Sequence, residues 1–219
     1  MTIDKLMIKA IAIDVEVEEQ ERLIAAGIPE AVFTAGLKLP AMLNRRLSPT
    51  GKRAAALANE LLNGEGLTIV WCSQYGDLAR TQRLMESIVA DEPMSPTDFS
   101  LSVQNAEPGI LSMATKNHKH IVAISAAKHR FYNALLEAEL LRREQATDVL
   151  LVMTDQSVPE IYAPVSAINV ATTSLVLRIS DSGRAFSLLD AKHLDDSVGY
   201  TEIFRLLVNT LFRADIDKC

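Results

Sequence analysis

The chain has 219 residues, 28 acidic against 22 basic side chains, a formal charge of −6 and 48% hydrophobic residues. That length suits one domain, and the apolar fraction excludes a disordered tail, which buries too little surface to offset chain entropy. The acidic balance and only 5% aromatics argue against nucleic acid as a partner, because phosphates and bases call for a basic face with stacking rings.

Two cysteines, Cys72 and Cys219, do not make a disulfide framework. The opening Met1-Thr2-Ile3-Asp4-Lys5 has neither a basic n-region nor a small-residue cleavage site. No apolar run approaches the ~20 residues of a membrane span. The expected location is cytoplasmic.

In chain order, Leu6–Val15 is a β-branched run of strand length, followed by an acidic patch at Glu16, Glu18, Glu19 and Glu21. Ser48-Pro49 has the form of a helix N-cap with proline in the first turn, and Asn63-Gly64 ends the alanine-rich helix that follows. Leu67–Cys72 reads as a buried strand. Asp77 caps a second helix, in which Leu84, Met85, Ile88 and Val89 recur at helical spacing. Pro93 and Pro96 bound a loop leading into 98–105. Ile121–Ile124 is a short apolar strand, a long helix is predicted over 127–143, and Val149–Met153 is a third buried strand. Segments 167–179 and 184–189 suggest a hairpin turning near Ser182-Gly183. Leu206, Leu207, Leu211 and Phe212 mark a last amphipathic helix. Strands alternating with helices indicate an α/β layered domain with helices packed on a sheet.

The segment Met94–Asn117, MSPTDFSLSVQNAEPGILSMATKN, resembles the SP-x-x-F-S-x-SV-H-NA-x-x-G stretch of the β-ketoacyl synthase group in the thiolase-like superfamily. Within that group it looks like the short ketosynthase-like proteins of aryl polyene and xanthomonadin-type pigment synthesis. Three flanking matches keep order and spacing: Leu39-Pro40 with Arg45-Arg46 and Ser48-Pro49, Phe131 with Leu135-Leu136-Glu137-Ala138, and the Val149–Pro159 strand and turn. The resemblance covers roughly Leu39 to Leu189. It implies a thiolase-like half-fold, truncated relative to a full ketosynthase, with residues 1–190 as the ketosynthase-like domain and 191–219 as a tail bearing an amphipathic helix.

An active ketosynthase carries a cysteine nucleophile at a strand-to-helix turn, where the helix N-terminus lowers the thiol pKa. The resemblance puts that position at or beside Lys128, in Ile124-Ser125-Ala126-Ala127-Lys128-His129. An ammonium cannot form the acyl thioester, and Gln104 stands where the motif has His. The reading is a non-catalytic subunit resembling a chain length factor, with no cofactor and no metal. Its partner is a full-length β-ketoacyl-ACP synthase, in a heterodimer or heterotetramer. Ile121, Val122, Ala123 and Ile124 are the expected dimer-interface strand. Phe99, Gln104, Lys128, His129 and Phe131 are the expected lining of an acyl tunnel.

Between Ala31 and Asn59, Lys38, Arg45, Arg46, Lys52 and Arg53 occur without an acidic residue, a docking patch for an acidic acyl carrier protein or a solvated helix face. Lys128 has the plainer reading of an exposed first-turn lysine. Cys72 reads as a buried structural thiol. His118 and His120 lack a third metal ligand, and no G-x-S-x-G elbow surrounds Ser125. Asn105 and Gly109 are expected to help the backbone turn beneath the nucleophile loop. The last helix covers either the sheet or a partner. The rival functions are a stand-alone acyltransferase or thioesterase using His129 or Cys72, and a homodimeric acyl-binding protein.

Overall fold

The computed structural model describes residues 3–33, 39–126, 128–162, 172–194 and 200–212. Six strands, β1 (Lys5–Asp14), β2 (Thr68–Cys72), β3 (Ile121–Ile124), β4 (Val149–Asp155), β5 (Thr173–Ser180) and β6 (Arg184–Ser187), form one sheet of order β3-β2-β4-β5-β1-β6. β3, β2 and β4 run parallel, whereas β5 is antiparallel to β4 and β1, and β6 is antiparallel to β1. Parallel neighbours need long crossovers. Helices α4 (Leu78–Val89), α5 (Pro96–Leu101) and α6 (Ala106–Thr115) carry the chain from β2 to β3, and α7 (Arg130–Gln145) carries it from β3 to β4.

Every residue of β2, β4 and β5 is buried, as strands covered on both faces must be. Their two-residue period sends alternate side chains to two cores. On one face Val70, Cys72, Leu151 and Met153 meet Phe131, Leu135 and Ala138 of α7. On the other, Ile69, Trp71, Leu150 and Val152 meet Ala54, Ala55, Ala58 and Leu62 of α3 (Pro49–Leu62) and Leu111 of α6. Alanines on α3 let that helix lie close to the sheet. Ser48 caps it, its hydroxyl accepting from the Gly51 N–H at 2.8 Å, and Asn63 ends it in the left-handed region at φ 48°.

Three expectations are corrected. β5 and β6 are not a hairpin, because β1 lies between them: Met7 pairs with Ser180 on one side and Ala185 on the other. The chain crosses β1 at Gly183, where a Cβ would stand 2.3 Å from the Ile8 carbonyl oxygen. The part of that predicted hairpin at 167–171 lies outside the described residues. The long helix starts at Arg130, since His129 takes a left-handed φ of 51°. Gly109 sits inside α6 with open space where a Cβ would be, so it forms no tight turn. The acidic patch leads into a short helix, α1 (Val17–Ala25), which buries only Leu23 and so has a weak apolar period. Two further short helices are α2 (Ala41–Asn44) and α8 (Leu188–His193).

The final segment forms α9 (Thr201–Leu207) and runs on as a π-helical turn at Val208–Phe212. Ile203, Phe204, Leu207, Val208 and Leu211 join the α7-side core. Of the two alternatives for this helix, it covers its own domain.

Candidate functional site

In α/β sheets, sites form beyond the carboxyl ends of parallel strands, where loops converge and helix N-termini point. Here β2 ends at Cys72 and continues into Ser73-Gln74, β3 leads to Ser125, and β4 ends on Asp155. Polar side chains knit these ends together. Gln104 donates its side-chain amide to the carbonyls of Ser73 (3.2 Å) and Ile124 (2.9 Å), tying the exits of β2 and β3. The Ser125 hydroxyl donates to the Gln74 carbonyl at 2.9 Å.

Beneath these loops lies a buried charge pair. Arg130, the first residue of α7, approaches Asp155 Oδ2 at 3.0 Å and donates to Gln74 Oε1 at 2.5 Å. Asp155 also accepts from the Gln74 N–H (2.7 Å), the Ser73 hydroxyl (3.3 Å) and the Tyr200 hydroxyl (2.9 Å). The Arg130 guanidinium lies 5.3 Å from the centre of the Tyr200 ring. Burial pushes the Asp155 carboxyl above the ordinary aspartate range, against the opposing pull of Arg130 and its hydrogen-bond donors. Burial likewise raises the Tyr200 phenol well above its usual value, so this residue stays a neutral donor.

Above this floor β3 turns into α7 through an elbow. Lys128 and His129 are both exposed there, and Asn133 returns a hydrogen bond to the Lys128 carbonyl at 3.1 Å. Left-handed backbone at a non-glycine residue is uncommon and marks a sharp strand-to-helix turn. Cys72 is 0% exposed and packed in the core, paired in register with Ile124 at the end of β3.

The five expected tunnel residues differ in placement, Lys128 and His129 lying exposed at the elbow. Gln104 is half-buried and spends its amide on backbone, while Phe99 is 61% exposed on α5. Phe131 is fully buried, edge-on to Phe186 at 5.8 Å on the α7 side of the sheet. All four residues of the expected interface strand are half-buried, and β3 is the sheet edge. In the basic segment, Arg45 and Arg46 are exposed, Lys52 is half-buried, and Arg53 pairs with Asp14 at 3.3 Å. Lys38 and Cys219 lie outside the described residues. Among the described residues no group of His, Cys, Asp and Glu could hold a metal ion.

The Ser48-Pro49 segment and the Met94–Asn117 segment meet where α3 packs on α6. The Glu107 carboxyl accepts from the Ser48 N–H (3.2 Å) and hydroxyl (2.5 Å), and a Cβ on Gly51 would stand 2.0 Å from it. Burial raises the Glu107 pKa above its ordinary value. Nearby, the buried Arg80 donates to Asp77 (2.8 Å), Asp98 (2.9 Å) and the Arg46 carbonyl (3.1 Å). Sequence reasoning missed Arg130 and Tyr200, which carry no local pattern. Asp155 lies in the Val149–Pro159 segment, but nothing local in the sequence sets it apart as a buried acceptor.

A layered α/β half with helices on both faces of its sheet and a β3–elbow–α7 turn at one edge has the form of a thiolase-like, ketosynthase-type domain. Residues 19–201 match the model of the β-ketoacyl synthase N-terminal domain, and the chain belongs to that family. No functionally curated protein matches the sequence.

One similar solved structure is the ketosynthase ApeO in complex with its chain length factor ApeC from Xenorhabdus doucetiae, at 25% identity and TM-score 0.69. The match covers 83% of this chain and 81% of that one, so the two chains are of nearly equal length. The ishigamide ketosynthase/chain length factor shares the fold at 13% identity and TM-score 0.57, over 87% of this chain and 60% of that one. A type II polyketide synthase acyl-carrier protein in complex with its ketosynthase, AntDE:AntF, also shares it, at 10% identity and TM-score 0.61, over 81% and 62%. The chain thus spans only about three fifths of these two longer relatives. No helix among the described residues is long and apolar enough to cross a membrane.

Proposed function

We propose that this chain is a non-catalytic ketosynthase-like subunit of the chain length factor type. It pairs with an active β-ketoacyl-ACP synthase and shapes that enzyme's acyl tunnel in aryl polyene or related polyketide and fatty acyl synthesis. The observation that carries the reading is the elbow. On the resemblance to active ketosynthases, whose thiol nucleophile sits at a strand-to-helix turn, this turn carries Lys128 and His129 in its place, while Cys72 is buried in the core. Near-equal length with a chain of a ketosynthase–chain length factor complex supports the same assignment.

The assembly role falls to β3, the terminal strand of the sheet, beside which no further strand lies among the described residues. The gating role falls to side chains at the elbow and motif loop, Lys128, His129, Phe99 and Gln104, with Phe131 behind them. Among the described residues, Arg45, Arg46 and Lys52 are the cations offered to an acidic carrier protein, while Arg53 pairs with Asp14.

The test is native mass after co-expression with the full-length ketosynthase of the same source. A stable 1:1 or 2:2 complex supports the reading. A chain that ignores the ketosynthase, or that alone hydrolyses acyl thioesters with sensitivity to His129→Ala, overturns it. Within such a complex, Lys128→Ala or His129→Ala is expected to lengthen the products. Unchanged product length across the five named positions removes the gating role and leaves the scaffold role.

A further inference from the structure

Both ends of the elbow are tied to one buried point. On its β3 side the Ser125 hydroxyl holds the Gln74 carbonyl, and on its α7 side Arg130 donates to Gln74 Oε1. The Gln74 N–H in turn donates to Asp155 Oδ1, and Arg130 meets Asp155 Oδ2 at 3.0 Å. Between these ends stands His129, left-handed at φ 51° and ψ 40°. Such backbone is strained at a residue other than glycine and persists only where its surroundings over-determine it.

Tyr200, at the N-cap of α9, reaches the same point from the far end of the chain. Its hydroxyl donates to Asp155 Oδ2 at 2.9 Å, the oxygen that Arg130 meets, and its ring faces the Arg130 guanidinium at 5.3 Å. One side chain therefore touches both members of the ion pair, its hydroxyl the anion and its ring the cation. All three residues are buried, where each polar contact is strong and its loss costly. Ile203, Phe204 and Leu207 pack into the α7-side core and fix the helix that carries Tyr200.

We propose that Tyr200 is a positioning residue for the elbow, so that the C-terminal helix sets the turn bearing Lys128 and His129 and, through it, the length of product made in the complex. The effect on product length rests on the functional reading above, whereas the hold on the elbow does not. Tyr200 restrains Asp155, Asp155 restrains Gln74 and Arg130, and these two hold the ends of the turn. Loss of the hydroxyl removes one restraint on Asp155 Oδ2. The His129 backbone then relaxes first, because it stores strain that the neighbouring strands do not.

The experiment compares wild type, Tyr200→Phe and the control Ser174→Ala. Ser174 is buried and its hydroxyl lies 3.1 Å from that of Thr154, next to Asp155, so its variant also deletes a buried hydroxyl but acts within the sheet. Hydrogen exchange reads the elbow at the Asn133 amide, which donates to the His129 carbonyl at 2.9 Å, against the amide of Leu151 in central β4. Tyr200→Phe is expected to speed Asn133 exchange relative to Leu151 by about tenfold, and Ser174→Ala to leave that ratio unchanged. Each variant, with His129→Ala beside them, is also paired with the full-length ketosynthase of the same source and its products are measured. Tyr200→Phe is expected to lengthen them as His129→Ala does, since a loosened turn no longer holds Lys128 and His129 in place. An unmoved exchange ratio in Tyr200→Phe, or an equal rise in both variants, overturns the inference. So does unaltered product length in a complex where His129→Ala lengthens it. A chain that forms no ketosynthase complex, or a complex whose products His129→Ala leaves unchanged, overturns the gating role and with it the effect on product length. The exchange ratio alone then decides the hold on the elbow.

Discussion

Asp155 accepts from four groups drawn from three parts of the chain, so its neighbours are unequal in what their loss exposes. Tyr200→Phe removes one neutral donor and is expected to cost about 1–3 kcal/mol. Arg130→Met strands a buried carboxylate and is expected to cost about 3–5 kcal/mol. Urea unfolding of the two variants gives the order, and equal losses would refute it. Glu107 differs in sign. Its folded pKa lies above the ordinary value of 4.5, so the fold favours its neutral form. The stability it contributes is complete below that value and is lost as pH rises through the folded pKa. Glu107→Gln should therefore weaken the fall in the urea midpoint with pH above 4.5. A fall as steep as the wild type's would disprove this.

At the scale of elements, two caps and a crossing carry the local architecture. Ser48 serves both the α3 N-terminus and Glu107, and Ser48→Ala is expected to lower stability by about 1–2 kcal/mol. Gly183 has φ 134° and abuts the Ile8 and Lys9 backbone where β5 leaves one side of β1 for the other. Gly183→Ala adds strain and a backbone clash, and a loss above about 3 kcal/mol is expected by thermal or urea unfolding. These elements also show what sequence reading reached. β1, β2, β3, β4 and α3 were legible because strand length, apolar runs and cap residues are local signals. The β5/β6 hairpin was misread because adjacency in sequence implied pairing, whereas β1, remote in the chain, enters between them.

Across the whole molecule, acidic pairs tie the layers together. Arg178 of β5 joins Asp148 (2.7 Å) ahead of β4 and Glu65 (2.7 Å) beyond α3. Burial opposes ionisation of Asp148, but hydrogen bonds from Ser180 and Arg178 outweigh it and hold the pKa low. At Glu139 burial is likewise outweighed, here by Arg142 and Arg143. A lowered carboxyl pKa contributes stability present above the unfolded value and lost as pH falls through the folded one. The stability lost to acid is therefore expected to set in as pH falls through the ordinary carboxylate range and to continue below it, and Asp148→Asn should flatten that acid limb in urea titrations at successive pH values. An unchanged acid limb would exclude Asp148 as a contributor.

The class of fold and most of the strands are legible in the sequence because periodicity and caps are written within a few residues, and the short motif segments carry the family. The order of the strands, the terminal place of β3 and the buried Arg130–Asp155–Tyr200 floor were decided only by tertiary structure. Each depends on residues distant in the chain, and their meeting follows from how both sheet faces are covered at once.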